Sequence, residues 1–168
     1  MNTIPLNDGT QIPWLAFGTG TALFGRDTSD LICKAIANGI THLDGAQVYD
    51  NEESLGAGIK ASGRQRSELY IVTKLKKTGV GVREALEGSL KRLGVDFVDL
   101  YLIHMPLEYV GQLQEVWADM QEVQKAGLTK SIGVSNFGVK QLEEILSTGG
   151  AIPAVNQARP AVPHGLAR

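Results

Sequence analysis

The sequence has a single cysteine, no long apolar run and no marked excess of either charge. Cys33 is alone among 168 residues, which rules out an intrachain disulfide, and its place in an apolar helical stretch favours a packed thiol. The net charge of −2 gives no broad positive field, so we expect no nucleic-acid partner and no membrane partner. No stretch approaches the ~20 apolar residues of a membrane span and the amino terminus has no signal-peptide pattern, so we expect a cytoplasmic protein.

Several catalytic and nucleotide-binding motifs are also missing. The sequence has no histidine or cysteine pairs at zinc spacing, no Gly-x-Ser-x-Gly nucleophile motif and no phosphate loop. Gly18-Thr19-Gly20 follows an apolar run, but the third glycine of the dinucleotide-binding fingerprint is missing and Gly25 comes too late. We therefore expect no metal site and no acyl-transfer chemistry, and a Rossmann sheet is disfavoured.

Short apolar runs of the kind that form β-strands alternate with stretches of helical periodicity. Residues 14–18, 69–73 and 98–103 are among the predicted strands, and most of the helical stretches end near a glycine. This alternation predicts an α/β protein with a parallel sheet and without a linker or second domain. The turn signal NDGT at residues 7–10, between two isoleucines, predicts an amino-terminal β-hairpin.

Four side chains suited to proton transfer, Asp44, Tyr49, Lys74 and His104, follow or end predicted strands. Because the carboxyl ends of parallel strands meet on one face of a barrel, we expect these side chains to converge there. Tyr49 is the natural proton donor, and a neighbouring Lys74 ammonium would favour its phenolate form. Asp44 would keep Lys74 charged, and His104 could hydrogen-bond an incoming oxygen.

Each of these four residues, taken alone, also has an ordinary structural explanation. Strand-end carboxylates often cap helices, tyrosines and lysines near strand ends are usually packing or solvated charge, and an isolated histidine is often part of the core. Their combination in one order favours the functional interpretation. Glu52 and Glu53 follow Asn51 at a predicted helix start, so we interpret them as partners of the helix dipole and not as an acid and a base.

Several long motifs, occurring in order, resemble those of the aldo-keto reductase family. The motifs are residues 39–52 (GITHLDGAQVYDNE), 73–75 (TKL), 93–106 (LGVDFVDLYLIHMP) and 133–137 (GVSNF). The resemblance extends from the amino terminus to about Gln157. It implies a (β/α)8 barrel that reduces aldehydes or ketones with a nicotinamide cofactor, usually NADPH.

The resemblance also implies roles for individual residues. It makes Asp44, Tyr49, Lys74 and His104 the catalytic group. The residues expected to bind the cofactor are Gly18, Thr19, Asp44, Ser135, Asn136 and Gln157, of which the last three would hold the nicotinamide amide. The loops expected to form the walls of the substrate pocket contain Thr21, Phe24 and Met105.

The length of the chain conflicts with a closed barrel. Eight β/α units need about 250 residues, so a chain of 168 residues provides about six units, and we expect an incomplete TIM barrel over residues 1–157. After Gln157 the sequence departs from the family pattern, and residues 158–168 are expected to form a divergent, irregular tail. The family's seventh and eighth units, which grip the cofactor phosphate, are not matched. Open sheet edges would favour self-association.

Three function classes therefore stay open. The leading hypothesis is an aldo-keto reductase that reduces a small-molecule carbonyl substrate with NADPH, with Tyr49 as the general acid. The alternative is a truncated noncatalytic remnant or binding module that lacks the site for the cofactor phosphate. A different barrel enzyme, such as a phosphosugar isomerase, ranks last because its usual phosphate site would belong to the late strands.

Overall fold

The computed structural model describes residues 2–77, 79–147 and 149–158. Eight strands lie in this part of the chain, and their bounds are β1 Thr3–Pro5, β2 Gln11–Pro13, β3 Ala16–Gly18, β4 His42–Asp44, β5 Tyr70–Leu75, β6 Val98–Ile103, β7 Thr129–Ser135 and β8 Asn156–Gln157. The five α-helices are α1 Ser29–Ala37, α2 Glu52–Ala61, α3 Val82–Leu93, α4 Leu113–Lys125 and α5 Val139–Leu146. Short 3-10 turns lie at Thr21–Leu23, Gln47–Tyr49, Arg66–Glu68 and Pro106–Tyr109.

Strands β1 and β2 form the predicted antiparallel hairpin. Ile4 lies opposite Ile12, and the turn between the strands is closed by Asp8, whose carboxylate accepts the Thr10 backbone N–H at 3.0 Å. Gly9 takes the positive φ of 84° that the tight turn requires and that a side chain would oppose. The amino-terminal hairpin is therefore confirmed.

The other six strands form one parallel sheet in chain order, from β3 to β8. Consecutive strands pair in parallel and are joined by segments that contain the helices, so the sheet curls into an incomplete (β/α)8 barrel of six strands. The predicted fold class is confirmed. The first strand is shorter than predicted, since it begins at Ala16 and not at Trp14, whose side chain is 73% exposed.

Alternation along β5 sends successive side chains to opposite faces of the sheet. Ile71 and Leu75 pack in the large core between the sheet and the helices, where Trp117 of α4 is fully buried. Tyr70 and Val72 point the other way, into a smaller cluster inside the barrel. Because the strand period is two residues, Lys74 also faces the barrel interior, where it is 1% exposed.

Strands β3 and β8 each have a single neighbour in the sheet, and their outer backbone edges are unpaired within the part of the chain that the structure describes. The predicted tail at 158–168 lies outside the described residues except for Ala158. In the part of the chain that the structure describes, every helix is too short or too polar to span a lipid bilayer.

Candidate active site

The structure brings Asp44, Tyr49, Lys74 and His104 together at the carboxyl edge of the sheet. Asp44 is the last residue of β4, Lys74 is the penultimate residue of β5, and His104 follows β6 directly. Tyr49 ends the 3-10 turn that follows β4. The expected convergence of these four side chains is therefore observed, although they span sixty-one positions of sequence.

The Lys74 ammonium is held by three oxygen atoms. Its Nζ donates to the Asp44 carboxylate, to the Gly45 carbonyl at 2.9 Å and to the Tyr49 hydroxyl at 3.3 Å. An ammonium group has three protons, so all of its donors are used inside the protein. A buried ammonium needs a paired partner, and the Asp44 carboxylate supplies it directly beside Tyr49.

The Tyr49 ring is fixed by contacts on several sides. It packs edge-to-face with His104, with ring centroids 5.6 Å apart and an interplanar angle of 84°, and with Phe24 at 6.2 Å. The Gly20 backbone lies against the ring so closely that an added Cβ would stand 2.8 Å from Tyr49 Cζ. The hydroxyl is thereby directed toward the Lys74 amine.

His104 is neutral near neutral pH. Burial, together with the nearby Lys74 ammonium, lowers the pKa of its imidazole below the ordinary 6.5. Its backbone N–H donates to the Leu75 carbonyl at 3.2 Å, which ties the residue after β6 to the end of β5. A neutral imidazole beside the Tyr49 ring can offer one N–H to an oxygen without adding a second positive charge near Lys74.

The three residues expected to hold an amide also meet at this edge. Ser135 Oγ donates to the Gln157 carbonyl at 2.8 Å, and Asn136 Nδ2 donates to Ser135 Oγ at 2.9 Å and to the His104 carbonyl at 3.1 Å. Gln157 Nε2 donates to the second oxygen of the Asp44 carboxylate at 2.6 Å. These donor groups already form hydrogen bonds with protein atoms. An amide ligand would have to replace those protein atoms as the acceptors.

A cleft of about 760 Å³ opens above these side chains. The predicted site residues that line it are Gly18, Thr21, Asp44, Tyr49, His104, Met105, Ser135, Asn136 and Gln157. Thr19 is different, because its side chain is fully buried and its hydroxyl donates to the Asp44 carbonyl at 3.3 Å. Phe24 stands beside the Tyr49 ring, 52% exposed.

A model of the aldo/keto reductase family matches residues 15–161. The chain belongs to the aldo/keto reductase family. The resemblance read from the motifs is therefore confirmed.

The relatives of the chain are longer than the chain. It is 39% identical over 159 residues to the NAD/NADP-dependent indole-3-acetaldehyde reductase of Schizosaccharomyces pombe, covering 89% of this chain and 56% of the relative. It is 38% identical over 159 residues to the glyoxal reductase of Bacillus subtilis, covering 93% of this chain and 57% of the relative. The chain thus spans a little over half the length of these curated relatives.

The solved structures of family members are also longer than this chain. An aldo/keto reductase from Brucella melitensis superposes with a TM-score of 0.87 at 36% identity, covering 94% of this chain and 62% of that one. An aldo-keto reductase of Bombyx mori in complex with NADP superposes with a TM-score of 0.84 at 38% identity, covering 94% and 58% respectively. The described fold therefore matches part of these family structures in arrangement as well as in sequence.

Two residues beside the site have roles that sequence reasoning missed. Asn51 is buried, and its Nδ2 donates to the Thr19 carbonyl at 2.8 Å and to the Leu23 carbonyl at 2.9 Å, which ties the start of α2 to the loop after β3. Glu52 is 3% exposed and accepts hydrogen bonds from Arg92 Nε at 2.8 Å and Thr73 Oγ1 at 2.6 Å. Its position at a helix start predicted a dipole partner, and no local signal pointed to Arg92, forty positions away.

Proposed function

We propose that the chain carries the carbonyl-reducing site of an NADPH-dependent aldo-keto reductase, with Tyr49 as the general acid. The observation that carries this proposal is the Tyr49 hydroxyl 3.3 Å from a buried Lys74 ammonium that is itself paired with Asp44. NADPH, when bound, supplies the hydride for reduction of the carbonyl carbon. A small aldehyde or ketone is the proposed substrate, since curated relatives include a glyoxal reductase and a methylglyoxal reductase.

The proposed proton transfer follows from the order of the contacts. The carbonyl oxygen of the substrate accepts hydrogen bonds from the Tyr49 hydroxyl and from the neutral His104 imidazole. Tyr49 gives its proton to that oxygen as negative charge develops there, and Lys74 stabilises the phenolate that is left. Asp44 holds the Lys74 ammonium in place throughout, because its carboxylate cannot move without breaking the buried ion pair.

The residues of the cleft fit the nicotinamide end of the cofactor. Ser135, Asn136 and Gln157 would hold its carboxamide, and the backbone at Gly18 and Thr19 would line the same groove beside Asp44. Among the described residues that line the cleft, none is a lysine or an arginine. We therefore expect the adenosine phosphates to be held weakly by the described part of the chain.

The substrate side of the cleft is proposed to involve Thr21, Phe24 and Met105. Thr21 and Met105 line the cleft, and Phe24 packs against the Tyr49 ring. These side chains would surround a carbonyl compound whose oxygen lies between Tyr49 and His104. A cytoplasmic location is part of the same proposal.

The direct test is NADPH oxidation with methylglyoxal, measured for the chain and for Tyr49→Phe. Loss of a general acid lowers a rate by about 10²- to 10⁴-fold, so kcat should fall by that factor. Tyr70→Phe is the matched control, because its hydroxyl is buried without a hydrogen-bond partner in the described residues and Tyr70 lies at the other end of β5. Equal rates for the chain and Tyr49→Phe would refute the proposal.

A second candidate function is a noncatalytic binding module that associates through its open edges. It is favoured by the cleft's lack of cationic side chains among the described residues and by the unpaired edges of β3 and β8. Quenching of protein fluorescence by NADPH separates the two candidates. Saturable binding supports the reductase, whereas no binding together with a concentration-dependent dimer on size-exclusion chromatography supports the module.

A further inference from the structure

Gln47 lies on the same short turn as Tyr49. The 3-10 turn Gln47–Tyr49 is preceded by Ala46 in extended conformation and followed by Asp50 in the left-handed conformation, with a φ of 55°. The turn carries few backbone hydrogen bonds of its own, as a 3-10 turn of three residues must. Its position therefore depends on contacts to the rest of the barrel, which include the Gly25 N–H donated to the Tyr49 carbonyl at 2.8 Å and the side-chain contacts of Gln47.

The Gln47 side chain supplies such contacts at both ends of its amide. Its Nε2 lies 3.0 Å from the Ala85 carbonyl, 3.0 Å from Ser89 Oγ and 3.3 Å from the Tyr101 hydroxyl. Its Oε1 accepts the Lys76 backbone N–H at 2.8 Å. One side chain thus connects the turn to α3, to β6 and to the residue that follows β5.

The side chains that hydrogen-bond to Gln47 lie in the protein interior. Ser89 and Tyr101 are fully buried, and Ser89 Oγ also donates to the Glu52 carboxylate at 3.2 Å. Glu52 in turn accepts from Thr73, the residue before Lys74. The network therefore contacts the chain on both sides of Lys74, at Thr73 within β5 and at Lys76 directly after it.

The sequence positions of these residues place the Gln47 contacts beside the contact between Tyr49 and Lys74. Tyr49 lies two positions after Gln47, and Lys74 lies two positions before Lys76. The 2.8 Å bond from Lys76 N–H to Gln47 and the 3.3 Å bond from Lys74 Nζ to Tyr49 therefore join the same two segments, side by side. We expect that breaking the first bond would free the turn to move relative to β5 and would lengthen the second bond.

We propose that Gln47 is a positioning residue that fixes the Tyr49 hydroxyl within reach of Lys74. Its catalytic consequence rests on the proposed function, whereas its effect on the position of Tyr49 does not. A purely structural role would lower stability alone, so the two roles are separable by kinetics and by a spectroscopic signal from Tyr49.

The kinetic test is Gln47→Met, which keeps the length of the side chain and removes its amide. A misplacement of about 1 Å costs about 10²-fold in rate, so kcat should fall by roughly 10- to 100-fold while the KM for methylglyoxal stays within about twofold. Gln121→Met is the matched control. Gln121 is also half-buried and accepts the Ala151 N–H at 2.9 Å, far along the chain from the Tyr49 turn, and its loss should leave kcat unchanged.

A second readout does not require turnover. In protein labelled with 3-fluorotyrosine, the ¹⁹F signal of Tyr49 is identified by its loss in Tyr49→Phe. Gln47→Met should shift or broaden that signal, and Gln121→Met should not. An unchanged Tyr49 signal and an unchanged kcat in Gln47→Met would overturn the inference. If the unsubstituted chain shows no turnover at all, the proposed function fails, and the ¹⁹F signal alone then decides the role of Gln47.

Discussion

Gln157 donates a 2.6 Å hydrogen bond to Asp44 and so joins β8 to β4 across the interior of the incomplete barrel. These strands are not neighbours in the sheet, since β5, β6 and β7 lie between them. The other oxygen of the same carboxylate accepts from Lys74. A carboxylate has acceptor sites for both donors, so Asp44 holds the Lys74 ammonium and the last described strand at the same time.

Gln157→Glu should loosen β8 at neutral pH. The substitution places a second carboxylate against Asp44, and like charges at hydrogen-bond distance in a partly buried site repel strongly. Hydrogen exchange of the Asn136 amide, which donates to the Gln157 carbonyl at 3.1 Å, should become faster. Gln157→Met is the uncharged control and should have a smaller effect. Exchange as slow in both variants as in the unsubstituted chain would show that contact with Asp44 does not hold the strand.

Glu52→Gln should destabilise the fold more than Glu53→Gln. Both residues lie in the first turn of α2, so each contributes similarly to the helix dipole, but Glu52 is buried while Glu53 is exposed. Loss of the charge-assisted bonds to Arg92 and Thr73 should cost roughly 1.5–3 kcal/mol, whereas the change at Glu53 should cost at most about 1 kcal/mol. Urea unfolding measures the stability that each variant loses. Equal losses of stability would mean that both residues act only through the helix dipole.

Gly20→Ala should disturb Tyr49 without disturbing the fold. The backbone of Gly20, with φ −82° and ψ −170°, suits alanine, yet its Cβ would lie 2.8 Å from Tyr49 Cζ and force the ring to move. We expect kcat for methylglyoxal reduction to fall at least about tenfold while the urea midpoint changes little.

Gly81→Ala is the control for this substitution. Gly81 also has a backbone that suits alanine, and no atom lies within 4 Å of an added Cβ. It should therefore leave kcat unchanged. A Gly20→Ala enzyme with full activity would mean that the contact between Gly20 and the Tyr49 ring does not set the position of the hydroxyl.

The stability of the fold should decrease when the pH is lowered from neutral. Burial lowers the pKa of both His42 and His104 below 6.5, so in the interval below that value the unfolded chain binds more protons than the folded protein. Stability therefore rises with pH across this interval and is lost as the solution becomes more acidic. The His42 Nε2 is buried without a hydrogen-bond partner in the described residues, so a proton there would remain unpaired.

Urea unfolding at about pH 5 and about pH 7, in the chain and in His42→Gln, measures this linkage. The variant should lose less stability on acidification than the unsubstituted chain, because one of the two titrating groups is gone. His104→Gln should reduce the dependence in the same direction. An identical pH dependence in all three proteins would contradict the assignment to these imidazoles.

Local sequence patterns were sufficient for the hairpin, for the order of strands and helices, and for the convergence of Asp44, Tyr49, Lys74 and His104. In each case the pattern lies within a few residues, as a turn, an apolar run or a strand end. The convergence of the four side chains then follows from the rule that parallel strands share a carboxyl edge. The start of the first strand was predicted two residues too early. Trp14 is apolar, but it lies in the bend between β2 and β3 and is mostly exposed.

The sequence by itself determined which side chains reach the carboxyl edge of the sheet, since the period of a strand and the place where it ends are local properties. Only the tertiary structure decided what those side chains touch. The contacts of Gln47 with Ser89 and of Gln157 with Asp44 join residues 42 and 113 positions apart. Such pairings depend on how the strands curl and how closely the helices pack on them, and no local pattern specifies either.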